Sequence, residues 1–148
     1  MIWIPKVWGG EQIIARNDKY CGKVLHLNKH HFSSFHRHDK CETLMVASGT
    51  VLFLYSEEKC LEKGDKYDYI DIFVLKSLLK DVHQTYVRLS NIKYDKDLKD
   101  KLKIQLLEVN DKIDIDEKMW HLFYGIEDSR IFEVSTPDVE SERITESQ

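Results

Sequence analysis

Short strand-like segments separated by turn residues dominate this sequence, and that pattern restricts its fold more than any other feature. Each segment alternates apolar and polar positions and is rich in β-branched or aromatic residues, as half-buried strands are. They are residues 23–28, 32–38, 42–48, 50–55, 103–109, 112–116, 120–124 and 130–135. Gly49 separates two of them in the manner of a tight antiparallel turn. Eight or more such strands predict an all-β barrel or sandwich, and a jelly roll is the natural choice.

The middle of the chain, residues 56–103, has a different texture and is rich in Lys, Asp, Tyr and Ile. Within it, the apolar positions of 70–82 predict one helical face, although 69–75 alone also has the alternation of a strand. The tail from Asp138 onward is polar, and we expect it to be irregular. The length of 148 residues fits a single domain, 1–148.

Charge and composition exclude several classes of protein. A formal net charge of −4 argues against nucleic-acid binding, which needs a surplus of Lys and Arg on one face. The longest apolar runs are only a few residues, so no membrane span is expected, and the first ten residues lack the pattern of a secretion signal. Three cysteines without a C-x-x-C pair are typical of free thiols in a reducing compartment. We therefore expect a cytoplasmic protein.

The segment HRHDKCE (36–42) is the strongest candidate for a chemical site. His36 and His38 are two residues apart, so on a strand both imidazoles project from one face, about 7 Å apart. A turn after His38 returns Glu42 on the next strand, where it meets the two histidines. These three side chains are candidate metal ligands, and the alternative is a pair of histidines that pack or face solvent without binding a metal.

The spacing of His36, His38, Glu42 and Gly49 resembles the first motif of the cupin superfamily, H-x-H, three or four residues, E, six residues, G. The second motif, G-x5-P-x-G-x2-H-x3-N, aligns with residues 110–125. It places His121 at the position of the fourth metal ligand. The resemblance therefore implies a metal site formed by His36, His38, Glu42 and His121, in a cupin jelly-roll β-barrel.

Several residues of the two motifs are replaced in this chain. Asn110, Asp116, Lys118 and Gly125 stand where the second motif has glycine, proline, glycine and asparagine, and His30 replaces the leading glycine of the first motif. Glycine and proline serve special backbone angles in such motifs. The replacements therefore concern turn geometry and leave the ligands in place.

The resemblance extends over residues 6–55 and 104–138. The segments 6–11, 20–27 and 132–138 are similar to single-domain cupins related to sugar isomerases, notably the cupin domains of mannose-6-phosphate isomerases and the D-lyxose isomerase group. Residues 56–103 are longer than the usual connection between the motifs. They are expected to be an insertion.

By this resemblance the protein is expected to be a metal-dependent isomerase or epimerase of a sugar or sugar phosphate, and a homodimer. Three imidazoles and one carboxylate suit Mn, Fe or Zn, with Co and Ni also compatible. The same ligands serve metal-dependent dioxygenases, and a non-catalytic sugar-binding cupin is a third possibility. No nucleic-acid or membrane partner is expected.

Two further residues are candidates for roles in the reaction. Glu133 alternates with Phe132 and Val134, so it can face the barrel interior, where burial would raise its pKa toward the range useful for a general base. The alternative is a structural partner for a Lys or Arg. Lys23, on an early strand, is a candidate to bind a phosphate or hydroxyl of the substrate; a strand-edge lysine without such a role is the alternative.

Overall fold

The computed structural model describes residues 2–57, 61–62, 70–71, 103–137 and 141–143. They form two antiparallel sheets and one short parallel pair, and no helix occurs among these residues. The larger sheet has the order β1(Ile2–Lys6), β2(Gly9–Arg16), β3(Cys21–Leu27), β12(Ser129–Ser135), β5(Glu42–Ser48) and β10(Lys112–Ile115). The smaller sheet has the order β13(Ser141–Arg143), β4(His36–His38), β11(Trp120–Gly125), β6(Val51–Ser56) and β9(Lys103–Leu107). The pair is β7(Leu61–Glu62) with β8(Ile70–Asp71). The all-β prediction is confirmed.

The alternation of buried and exposed residues along β12 shows why the larger sheet packs one face against a second layer. The buried positions of β12 are Ser129, Ile131, Glu133 and Ser135, and the residues between them are exposed. This period of two turns one face of the strand inward. Because β12 lies between β3 and β5, it joins the first part of the chain to the middle of the larger sheet.

Apolar side chains are buried on both faces of the smaller sheet. Between the two sheets lies a cluster that includes Leu44, Phe53 and Phe123. A second cluster, which includes Trp120 and Leu122, contains the alternate positions of the same strands and so lies on the opposite face. Every residue of β11 is consequently buried.

The turn positions that lack the expected glycines keep the glycine-like backbone. His30, Asn110 and Lys118 have φ angles of 63°, 73° and 62°, in the left-handed region that residues with a Cβ rarely adopt. These are the three positions at which a glycine of the resembled motifs is replaced, whereas the fourth motif glycine, Gly49, is kept. The motif turns are therefore retained without their usual residues.

Two sequence predictions concern the rest of the chain. The insertion at 56–103 and the helix at 70–82 fall almost entirely outside the described residues. The expectation of an irregular tail is wrong for Ser141–Arg143, which pairs with β4 as β13. A short polar strand of this kind has no apolar alternation to reveal it, because its contribution is mainly backbone hydrogen bonding.

Candidate metal centre and cavity

Three histidines meet on the inner face of the smaller sheet. His36 and His38 are the ends of β4, and His121 on β11 lies directly opposite His36 in the strand register. One nitrogen from each ring lies within 4.8 Å of the others. The sheet thus brings together imidazoles that are more than eighty positions apart in the sequence.

Backbone carbonyls orient two of the rings. Nδ1 of His36 lies 2.7 Å from the carbonyl oxygen of Ser34, and Nδ1 of His121 lies 2.8 Å from that of Met119. A carbonyl oxygen only accepts, so each Nδ1 carries the proton and donates it. Each Nε2 then has the lone pair that a metal ion requires.

His38 and Glu42 form a contact beside this group. Glu42 Oε1 lies 2.7 Å from His38 Nε2, while the buried Nδ1 of His38 has no hydrogen-bond partner among the described residues. Glu42 does not belong to the three-imidazole group. Ligands at right angles around an ion with bonds of about 2.1 Å are about 3 Å apart. The contact therefore suits two atoms that share one ion, and the donor set fits a divalent metal.

Electrostatics keep these groups in the protonation states that bind metals. Burial lowers the pKa of His121 to about 4. Burial and the neighbouring His121 lower the pKa of His36. Burial alone would raise the pKa of Glu42, but the hydrogen bond from His38 and the charge of Lys40 outweigh it and bring the pKa to about 2. At neutral pH the site therefore offers neutral imidazoles at His36 and His121 and an ionised carboxylate at Glu42.

Glu133 points into the interior beside the metal-ligand candidates. Its side chain is buried on the inner face of β12, and its Oε1 accepts a 2.9 Å hydrogen bond from Lys40 Nζ. Lys40 Nζ also lies 3.1 Å from Glu42 Oε1. Burial and the negative charge of Glu42 raise the pKa of Glu133, and Lys40 and Lys23 partly oppose that rise. The inward orientation fits both interpretations of Glu133, as a base and as a partner of a lysine.

The four candidate metal ligands, Lys40 and Glu133 all line one cavity of about 290 Å³ between the sheets. Lys23 lies in the same wall, directly opposite Glu133 in the register of β3 and β12, and is buried. Its Nζ lies 3.5 Å from Glu11 Oε2. The cavity therefore contains every residue that the sequence suggested for the site.

Sequence reasoning missed Lys40 and Glu11. Lys40 stands between Asp39 and Cys41 in a charged connection, which resembles a solvated loop. It is buried, and carboxylates from the neighbouring strands β5 and β12 contact its ammonium group. Glu11 stands two residues before apolar Ile13 on β2, so the two side chains lie on the same face of the strand. That spacing is the signal that could have placed Glu11 inside.

Comparison with known proteins gives the fold. No family model and no curated protein matches the sequence. KdgF from Halomonas sp. is similar in structure, with a TM-score of 0.57 and 11% identity over 94% of this chain and 90% of that one. Oxalate decarboxylase from Lactobacillus farciminis, solved as a formate complex, gives 0.58 and 9% over 97% of this chain and 33% of that one.

A conserved protein with a double-stranded β-helix domain from Klebsiella pneumoniae gives a TM-score of 0.53 and 11% identity, over 90% of this chain and 76% of that one. In the part of the chain that the structure describes, no helix is long and apolar enough to span a membrane. The sequence identities to these solved structures are so low that the similarity shows the fold alone. The chain has the double-stranded β-helix, or cupin, fold.

Proposed function

We propose that this protein is a metal-dependent isomerase or epimerase that acts on a sugar or sugar phosphate. The observation that carries the proposal is the position of Glu133, a buried carboxylate with a raised pKa, in the cavity that holds the three histidines. Cavities of this volume are at the small end of the range for ligand sites. A monosaccharide is a substrate of suitable size.

In this proposal His36, His38, His121 and Glu42 hold one divalent ion, with Mn, Fe or Zn preferred over Co or Ni. A bound ion supplies a Lewis acid that polarises the substrate carbonyl. The backbone carbonyls of Ser34 and Met119 fix the imidazole tautomers before the ion binds.

Glu133 acts as the general base. Its carboxylate removes the proton from the carbon next to the substrate carbonyl, and the C–H electron pair forms an enediolate. Return of the proton to the neighbouring carbon, while the hydroxyl proton passes between the two enediolate oxygens, gives isomerisation. Epimerisation requires a second proton donor on the opposite face of the same carbon. Neither route needs an oxidant. Lys40 holds Oε1 of Glu133, which fixes the orientation of the carboxylate.

Lys23 contributes to substrate binding from the facing position on β3. Its ammonium group is buried in the cavity wall, so it can donate to a substrate oxygen without competition from bulk water. This role does not require Lys23 to change its protonation state.

An anaerobic assay with purified protein of known metal content tests the proposal. Wild type and Glu133→Gln are incubated with pentoses, hexoses and their phosphates after loading with Mn or Zn. We expect conversion by wild type and a loss of about 10²- to 10⁴-fold in Glu133→Gln at unchanged metal content. Glu108→Gln, an exposed carboxylate on a turn, is the matched control.

Three results would contradict the proposal. Equal turnover by wild type and Glu133→Gln would show that Glu133 is not the general base. Substrate-dependent oxygen uptake that requires Fe(II) would indicate a dioxygenase instead. Tight sugar binding by the fully metallated protein without any conversion would indicate a binding protein.

A further inference from the structure

The charge of the cavity is opposite in sign to that of the whole chain. Among the described residues that line it, four side chains are cationic and three are carboxylates: Lys6, Arg16, Lys23 and Lys40, against Glu11, Glu42 and Glu133. The chain as a whole has a formal net charge of −4. A bound divalent ion would make the cavity more positive still, so the cavity favours anions although the chain as a whole is negative.

These charges fall into two groups. Lys40, Glu42 and Glu133 contact one another beside the histidines. Lys6 on β1 and Lys23 on β3 flank Glu11 on β2, whereas Arg16 is exposed at the other end of β2. Exposure of the side chains rises from 7% for Lys23 through 17% for Glu11 to 28% for Lys6. The second group therefore extends from the interior toward solvent.

Glu11 lies between two lysines and binds neither tightly. Its Oε1 is 3.8 Å from Lys6 Nζ, and its Oε2 is 3.5 Å from Lys23 Nζ. Charge-assisted hydrogen bonds of ammonium to carboxylate are usually about 2.7–2.9 Å long. The Glu11 carboxylate thus forms loose ion pairs with both lysines, and an incoming oxyanion can form shorter contacts with the two ammonium groups.

We propose that Lys6 and Lys23 form a subsite for an oxyanion of the substrate, a phosphate monoester or a carboxylate, with Glu11 as the internal group that the oxyanion displaces from the lysines. This inference deepens the proposed function, because it assigns an anionic substrate to the same cavity. Its volume of about 290 Å³ suits a monosaccharide with one such group and not a nucleotide-linked sugar.

Calorimetric titration of inorganic phosphate into the metal-free protein tests the subsite without requiring turnover. Lys23→Met should weaken phosphate binding about tenfold or more, since it removes a charged donor. Glu11→Gln should instead tighten binding several-fold, because the competing carboxylate is gone. Lys112→Met, at a side chain that is 61% exposed on β10, should leave binding within about twofold.

A second lysine keeps the test decisive if Lys23→Met does not fold. Lys6→Met removes a more exposed side chain and should also weaken phosphate binding. Acetate titrated at the same ionic strength distinguishes the two sources of oxyanion: tighter phosphate binding assigns a phosphate monoester, and acetate binding at least as tight assigns a carboxylate.

Two outcomes would overturn the subsite. One is phosphate affinity that is the same in wild type, Lys23→Met, Lys6→Met and Glu11→Gln. The other is phosphate binding that survives Lys23→Met and disappears in His36→Ala, which would locate the anion at the histidines. Failure of the isomerase proposal looks different, because phosphate would still bind while no sugar is converted.

Discussion

Substitution of Lys118 by glycine should make the protein more stable. Lys118 has a φ of 62°, and the left-handed conformation costs a residue with a Cβ roughly 1–2 kcal/mol. Glycine avoids that cost but loses about 0.5–1 kcal/mol through the greater freedom of the unfolded chain. The ion pair of Lys118 with Asp39 is 3.9 Å long and about two-thirds exposed on both sides, so its loss is minor. We expect a gain of about 0.5 kcal/mol.

Equilibrium unfolding in urea measures this gain, and Lys112→Gly is the matched control. Lys112 is also an exposed lysine with an aspartate partner, but it lies in strand β10. Glycine in a strand should destabilise the protein by about 0.5–1 kcal/mol. The same chemical change should therefore have opposite signs at two surface sites six residues apart.

A Lys118→Gly protein as unstable as Lys112→Gly would refute the reasoning. It would mean that Lys118 is not in a left-handed turn. That turn comes just before His121 in the chain, and the Lys118 amide donates a 2.8 Å hydrogen bond to the carbonyl oxygen of His38. The turn is therefore tied to two of the candidate metal ligands. The experiment thus tests the geometry of the second motif without any assumption about function.

Three further results are expected. His36→Ala and His121→Ala should each lose bound metal at neutral pH in elemental analysis, and unchanged metal content in both would show that the site is wrongly assigned. The pKa of His121 is about 4 in the folded protein and near 6.5 in the unfolded chain, so between these pH values the unfolded chain binds one proton more. The free energy of unfolding of the metal-free protein should therefore fall as the pH drops from 6.5 to 4. Urea unfolding of His121→Asn should show a shallower fall. Lys40→Met should cost about 3–5 kcal/mol in urea unfolding because it leaves Glu42 and Glu133 buried without their cation, and the double variant with Glu133→Gln should recover part of the loss.

The strands were predictable because they follow simple periodic rules, and the histidine group was predictable because it keeps the spacing of the resembled motifs. Residues 42–48 alternate cleanly and form β5 with the predicted bounds. His36, His38 and His121 kept the spacing of two motifs, although the glycines around them had been replaced. Backbone angles can survive such replacements, since the surrounding hydrogen bonds hold the turn in place.

The places of Lys40 and Lys6 in the charged network could not be predicted from the sequence. Burial of Lys40 depends on Glu133, which is 93 positions away, and no local pattern encodes a contact over that distance. Lys6 lies on β1, which has exposed apolar residues such as Trp3 and therefore lacks a clear inward face.

Burial of both faces of β11 has a consequence for metal binding at the candidate centre. The strand that carries His121 is fixed by apolar packing above and below, including Phe123 on one side and Trp120 on the other. Ring positions are therefore set during folding and need no ordering when an ion arrives. Removal of the ion by a chelator should leave the barrel folded, and cations whose preferred bond lengths do not match this fixed spacing should be discriminated against by geometry rather than by ligand type.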